Sequence, residues 1–475
     1  MTMWMLFLPE TILVAMIVLL LCFTLAKNPV DPSFMFKLMA VSCVLLVAGC
    51  VYSLGSAGSL FSGTYQVDLL SQAFKTLVAL GLCFTVFLSY EPVSLPAGRQ
   101  IEYFIFLAAA TLGMMMLPSA SDLLVLYVSM ELSSYSLYLL TALRRDRRNA
   151  EAGVKYLIFG AATSGVFLWG LSFVLGISGS ASFAEIAQNI GPLSSQPAFM
   201  LGVTFMVFAF LFKLSAFPFH FWAPDVYESA ATPVTNFIAT ASKAAAVAVL
   251  VRVFLQVGVS SSLVALLGIL AFISMTLGNT VALVQQDVKR LLAYSSIAQA
   301  GYILLGLLSG TAEGYSSSLF YAAAYLLMNT GFFAVTIALA RSTRHDNPQI
   351  SHFDGLAERS PFLALLLLIS LLSLAGIPPL AGFTGKWILF SAAMGQGHWF
   401  LVLWAVLNSV VSLFYYLTIV KHAYLEKPAA GAGVIVLSLP MRLFCLFLFA
   451  SIVLLGIFPN TLISFSQEAV SALGR

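Results

Sequence analysis

Apolar runs of about 20 residues, the length of helix that crosses the hydrocarbon core of a bilayer, recur from one end of this 475-residue chain to the other. That recurrence constrains the fold more than any motif does. Hydrocarbon offers no partner to backbone N–H and C=O groups, so each run is read as a helix that satisfies them internally. Charged residues make up only 9% of the chain and apolar residues 60%, whereas a soluble domain carries about 25% charge. The expected fold is all-α: a polytopic membrane bundle of about fourteen helices, over 8–26, 36–54, 70–90, 102–118, 121–143, 153–178, 199–219, 232–257, 262–285, 291–310, 316–341, 361–395, 399–420 and 434–459.

Several functions are excluded early. A net charge of +3 spread over so few ionisable groups builds no basic face for nucleic acid. Cys22, Cys43, Cys50, Cys83 and Cys445 are scattered through apolar runs without a CxxC pair, which leaves no metal, iron–sulfur or disulfide framework. No GxGxxG follows a strand, and there is no Walker loop, HExxH, CxxCH or deep histidine pair. No cofactor or metal is expected on this chain, and any redox or ATP-driven chemistry belongs to another subunit. The first run, Leu8 to Ala26, lacks a basic leader and a small-residue cleavage site and is read as a retained span.

Arg144-Arg145-Asp146-Arg147-Arg148 is the strongest positive cluster, so the fifth span should end in the cytoplasm. Carried along the chain, that orientation places Lys27, Lys37, Arg99, Lys289, Arg290, Arg341, Arg344, Arg359, Lys421, Lys427 and Arg442 on the same side. Both termini then face the periplasm, with Arg475 outside and Lys75 and Arg252 towards outer span ends. Lys155, Lys213, Lys243 and Lys386 remain within spans. Two spans carry breaks: the seventh at Lys213-Leu-Ser-Ala-Phe-Pro218-Phe-His220 and the twelfth at Ala375-Gly376-Ile377-Pro378-Pro379. Proline removes a donor and clashes with the preceding turn, and in a membrane the freed carbonyls need protein or water as partner. Breaks five helices apart suggest two inverted five-helix repeats, 101–257 and 258–425, after an N-terminal three-helix segment (1–100) and before a C-terminal helix (426–475).

Glu131, Lys213, Lys243 and Lys386 are the candidate site. Each charge at a helix centre costs about 2.5–3.5 kcal/mol, and four cost roughly ten that leucine would avoid. Burial disfavours the charged form of a lysine, and a nearby carboxylate restores it, so a change in the partner loads or unloads the amine. The competing reading is an interhelical ion pair, Glu131 with Lys213 or Lys155, that fixes packing. It explains Lys243 and Lys386 poorly, because Asp68, Asp122 and Asp287 sit at span ends. Lys155 lies near the start of its span and either reaches Glu131 or snorkels to the arginine face. His220, at the cytoplasmic end of the broken helix, is an aromatic-zone anchor or a proton entry group. Tyr294, Ser295, Ser296, Gln299 and Tyr302 form a polar stripe on the tenth span that lines a water wire or bonds neighbouring helices. His345, His352, His398 and His422 lie at loops or span ends and carry no signal.

Phe212-Lys213 through His220, Pro224-Asp225-Val-Tyr227, Thr232-Pro233 and Thr240-Ala-Ser-Lys243 resemble the antiporter-like membrane subunits of proton-pumping NADH:quinone oxidoreductase (respiratory complex I), and subunit N most. Val288-Lys-Arg through Gln299-Ala-Gly-Tyr302 and Leu374-Ala-Gly-Ile-Pro-Pro through Lys386 extend the resemblance over about residues 100–425. The resemblance implies the fourteen-helix fold with inverted repeats and breaks in helices seven and twelve. It implies Glu131 with Lys213 as a charge pair, Lys243 as central relay, Lys386 nearer the periplasmic exit, and Lys155 as a further lysine of the pattern. Gln299 stands where several relatives have histidine, which puts a histidine relay there in doubt. Implied partners are the other membrane subunits of complex I, antiporter-like neighbours among them, in a bacterial cytoplasmic membrane. NADH, flavin, iron–sulfur clusters and quinone would lie on partner subunits. The expected function is proton translocation driven by quinone reduction elsewhere. The alternatives are a subunit of a multi-subunit cation/proton antiporter or membrane-bound hydrogenase, and a scaffold whose charges only fix helix register.

Overall fold

The computed structural model describes residues 3–25, 31–90, 98–144, 146–343, 347–428 and 432–472. Lys27, Arg145, Arg344, His345 and Arg475, which entered the charge argument, lie outside the described residues. The membrane helices are α1 (Leu8–Leu25), α2 (Pro32–Tyr52), α3 (Leu69–Leu88), α4 (Gln100–Met116), α5 (Leu123–Thr141), α6 (Arg147–Ser178) and α7a (Pro197–Leu214). After the short α7b (Trp222–Ser229) come α8 (232–257, with a π-helical turn at Ile238–Ser242), α9 (Ser261–Ala282), α10 (Val288–Leu308) and α11 (Ala312–Thr343). The twelfth is split into α12a (Pro361–Ala375) and α12b (Ala381–Gly395), followed by α13 (Trp399–Tyr424) and α14 (Leu439–Ile457). Among the described residues, 13 helices are long and apolar enough to span a membrane. The two halves of the broken twelfth complete the expected set. The chain is a polytopic all-α membrane protein.

Burial sorts these helices into a centre and a periphery. In α8, α10 and α11, 94% of the spanning window is buried, against 28% in α1 and α14, whose exposed Leu, Val and Phe face lipid. A helix apolar on every side is what a position enclosed by other helices requires. At 1.5 Å per residue, the 32-residue α6 and α11 are about 48 Å long, more than the ~30 Å hydrocarbon thickness, so they tilt or protrude. Two features were not expected from the sequence. A β-hairpin (β1, Gly58–Leu60; β2, Tyr65–Val67) caps the bundle between α2 and α3, and a short α15 (Asn460–Ser471) packs back on α11 and α3.

The breaks lie where proline placed them, with one shift. The seventh span was expected to reach 219, but α7a ends at Leu214, because Ser215 adopts the left-handed conformation (φ 55°, ψ 35°) and closes the helix before Pro218. Gly376 does the same for α12a (φ 91°, ψ 44°). The carbonyls freed at these ends find protein partners. Phe212 O accepts from the Trp222 indole (3.1 Å), Leu374 O from Gln299 Nε2 (3.2 Å) and Ala375 O from Lys386 Nζ (3.0 Å).

Lys75 and Arg252, expected towards outer span ends, are drawn into the protein interior. Both are fully buried and ion-paired: Lys75 with Glu10 at 2.8 Å, Arg252 with Asp68 at 2.7 Å. Asp68 caps the N-terminus of α3, where its carboxylate also accepts from the Ser71 amide.

Candidate functional site

The row of lysines is built where helices are interrupted. α7a is buried continuously from Ala209 to its end at Leu214, so its last turn holds Lys213 among buried helices. Lys213 Nζ donates to the Ser133 and Ser134 hydroxyls of α5, each at 2.9 Å. Glu131, one turn earlier on α5, accepts from the Ser164 hydroxyl of α6 at 2.5 Å. Glu131 and Lys213 interact electrostatically, but no ion pair within 4.0 Å joins them. The implied charge pair is therefore a through-space one, because the two side chains leave toward different neighbours.

Two residues beyond Lys213, the left-handed turn aims the Ser215 hydroxyl at α8, where it accepts from Lys243 Nζ at 2.7 Å. Lys243 directly follows the π-helical turn, a local rewinding that often marks functional sites. Its other donors reach the carbonyl and hydroxyl of Ser296 on α10, both at 2.9 Å. Ser296 in turn donates to the buried Tyr227 of α7b at 3.3 Å.

The polar stripe of α10 continues from there. Ser295 pairs with Tyr416 at 2.5 Å, Gln299 Oε1 accepts from the Tyr321 hydroxyl, and the Tyr302 hydroxyl accepts from Asn279 at 3.1 Å. Tyr294 is only partly buried. Lys386, at the first turns of α12b, lies 4.5 Å from the centroid of the Tyr302 ring and donates to Ala375 O and to Ser409 Oγ at 3.3 Å. Gly376 makes room for it, since a Cβ there would sit 3.0 Å from Lys386 Cδ. Each of the three lysines is held by hydroxyls or carbonyls, and among the described residues no carboxylate pairs with any of them.

Lys155 does not join this row. It is partly exposed and pairs with Asp225 (2.7 Å) and Glu151 (3.0 Å), not Glu131, because the start of α6 lies at the arginine face. Asp225 and Glu228 of α7b also hold Arg290 of α10, each at 2.9 Å. Partial burial would raise the Asp225 carboxyl, but hydrogen bonds from Lys155 and Arg290 outweigh it and hold it below its ordinary value. Glu151, Lys155, Asp225 and Glu228, with Arg144, Arg147 and Arg148, line a cleft of about 510 Å³ open at that face. His220 is not at a helix end but inside the break, buried between Phe217 and Phe221, and its Nδ1 has no partner. Among the described residues, no cluster of His, Cys, Asp or Glu is placed to hold a metal.

The sequence reading missed Ser133, Ser134, Ser164, Ser215, Tyr227, Tyr321 and Asn279 as partners, and Asp225 as the centre of the cleft. Serines inside apolar runs are too common to single out. Asp225 carried a signal: an acid between two breaks, far from any loop of its own sign.

Among the described residues, two of the membrane helices are interrupted beside buried lysines that lack carboxylate partners, and the whole defines a polytopic helical membrane protein. The chain belongs to the family described as NADH:quinone oxidoreductase/Mrp antiporter transmembrane proteins, which matches residues 120–412. It is similar to NADH-quinone oxidoreductase subunit N 2 of Syntrophobacter fumaroxidans, at 45% identity over 472 residues and 99% of both chains. Its fold matches a chain of respiratory complex I from Thermus thermophilus with TM-score 0.83 and 32% identity, over 96% of this chain and 98% of that one. A chain of the Mrp complex from a Dietzia species superposes with TM-score 0.89 over 99% and 98%, but at 19% identity, a likeness of fold alone.

Proposed function

We propose that the chain is a proton-translocating membrane subunit of a complex I-type NADH:quinone oxidoreductase, with Lys213, Lys243 and Lys386 as the proton-carrying groups and Glu131 as a charge acting on Lys213. The carrying observation is what these ammonium groups touch. A lysine placed only to lock helices would be matched by a carboxylate. The row instead bonds to Ser133, Ser134, Ser215, Ser296, Ser409 and a freed carbonyl, neutral groups that hold an amine in either protonation state.

Entry is from the arginine face, taken as cytoplasmic, through the Lys155–Asp225–Arg290 cleft and the Tyr227–Ser296 bond to Lys243. His220, Gln299, Ser296 and Tyr302 are secondary members. Redox cofactors and quinone lie on partner subunits, and other membrane subunits flank this one in the bacterial cytoplasmic membrane, with both termini periplasmic. Moving one charge against 100 mV costs about 2.3 kcal/mol, so switching of the row must be coupled to the distant reaction.

We also propose that 101–257 and 258–425 are inverted repeats, with 1–100 and 426–475 outside them. Two likenesses support it beyond the paired breaks. Gly113 brings α4 against the α5 backbone at Ser129 and Ser133, and Gly278 brings α9 against the α10 backbone at Tyr294 and Ala298. Glu131 and Ser296 each lie eighteen residues after that glycine.

Neutral variants test the function: Lys213→Met, Lys243→Met and Lys386→Met, in complex assembled to the wild-type level, should each lower proton yield per NADH. Full yield from all three would overturn it. Co-purification with peripheral flavin and iron–sulfur subunits separates it from a cation/proton antiporter or hydrogenase subunit.

A further inference from the structure

A second set of buried charges lies apart from the lysine row. Arg252 is nine residues beyond Lys243 on α8, about 13.5 Å along the axis and away from the arginine face. There Glu10 of α1 and Lys75 of α3 pair at 2.8 Å with both side chains wholly buried, and Arg252 pairs with Asp68. Tyr65 of the hairpin reaches one pair, its hydroxyl donating to Glu10 Oε1 at 2.6 Å, and the two pairs share α3, with Asp68 at its N-cap and Lys75 two turns on. Cys50 of α2 faces the same charges.

Two fixed ion pairs would be a structural clamp if their polar atoms were satisfied. They are not. Glu10 Oε2, Arg252 Nε and Nη1, and Gln72 Nε2 are buried without a hydrogen-bond partner, and Lys75 Nζ has Glu10 Oε1 alone at 2.8 Å. Ser119 Oγ, beside the Tyr65–Ala120 bridge, is another such atom. Buried polar groups are almost always paired, with protein or with ordered water, because an unmade bond leaves their desolvation uncompensated. The orphans on Glu10, Arg252 and Gln72 belong to the paired residues or lie one turn from them on α3, and ordered water is the partner such groups commonly take.

We propose that Glu10, Lys75, Tyr65, Asp68 and Arg252 enclose ordered water and form a proton-holding site on the far side of Lys243, with Glu10 as the group that takes the proton. The proton arrives through water on the free Oε2, turning the carboxylate into a neutral acid while Lys75 keeps its charge. It leaves to water on the hairpin side and the Glu10–Lys75 pair is restored. Tyr65, held by Phe7 and Phe61 ring contacts at 5.6 and 6.3 Å, positions Glu10. This inference rests on the proton-carrying reading of the lysine row.

Two measurements on the assembled complex test it. A high-resolution map should show waters within hydrogen-bond distance of Glu10 Oε2, Lys75 Nζ and Arg252 Nε; a dry, closed cluster overturns the proposal. Glu10→Gln keeps the shape and the Tyr65 bond but holds no exchangeable acid proton. It should lower proton yield per NADH at wild-type complex level and abolish a deuterium-sensitive carboxylic C=O infrared band that appears on turnover. If Glu10→Gln fails to assemble, Tyr65→Phe, which leaves both ion pairs in place, takes over the yield measurement with the same expected loss. Wild-type yield from the variant that assembles overturns the holding site. If Lys243→Met loses yield while that variant keeps it, this inference alone fails; if both keep it, the proton-carrying reading fails as well.

Discussion

Ser215 offers a perturbation that separates function from stability. It occupies a left-handed turn that costs an L-residue about 1–2 kcal/mol and that glycine adopts freely. The equivalent turn in the twelfth helix is a glycine, Gly376. What serine adds is a hydroxyl that donates to Leu214 O at 2.6 Å and accepts from Lys243 at 2.7 Å. A hydrogen bond to a charged group contributes about 1.5–3 kcal/mol. Ser215→Ala loses that bond and keeps the strain, so it should destabilise by about 1.5–3 kcal/mol. Ser215→Gly loses the same bond but relieves about 1–2 kcal/mol, leaving a net loss between about zero and 2 kcal/mol. The assay is thermal unfolding of the purified complex alongside proton yield per NADH in reconstituted vesicles. The glycine variant should be the more stable of the two, yet both should lose yield, because Lys243 is detached from the α7 break in each. A glycine variant less stable than the alanine one refutes the strain argument. Wild-type yield from both refutes Ser215 as a link in the path.

Other outcomes follow from the same geometry. Lys75→Met leaves Glu10 without its cation and should destabilise the protein by about 3–5 kcal/mol, whereas Glu10→Leu with Lys75→Met should recover most of it, which a double-mutant cycle on thermal stability reads. Gly376→Ala should cost about 1–2 kcal/mol from the left-handed backbone and push Lys386 off Ser409, lowering proton yield as well as unfolding temperature. Because the Asp225 carboxyl is held below its ordinary 3.8, its ion pairs stabilise fully above that value and are lost only as pH falls through the lower folded value; Asp225→Asn should remove that acid-side dependence from the unfolding profile.

Much of the fold was legible because a bilayer makes burial a one-dimensional property. Nearly every span boundary lies within a few residues of its apolar run, and both breaks fall at their prolines. Lys213, Lys243 and Lys386 could be picked out by the cost of a charge at a helix centre, and the structure buries all three. Glu10 carried a similar signal, an acid inside an apolar run, but two residues from its start it reads equally as an exposed end. For Lys155 the sequence left Glu131 and the arginine face as alternatives, because a position inside an apolar run says nothing about how far the helix extends beyond it; α6 begins six residues earlier than its apolar part, and Lys155 lies at the arginine face.

What the sequence determined by itself was therefore depth: which segments cross, where they break and which charges are drawn into the core. What only the tertiary structure decided was partnership. In water, the apolar stripe of a helix says which way it faces; in this bundle, α8 and α10 are buried on nearly every side and their rotation is set by contact with neighbours. That rotation gives Lys243 to Ser215 and Ser296, turns Lys213 toward two serines instead of Glu131, and brings Glu10 to Lys75.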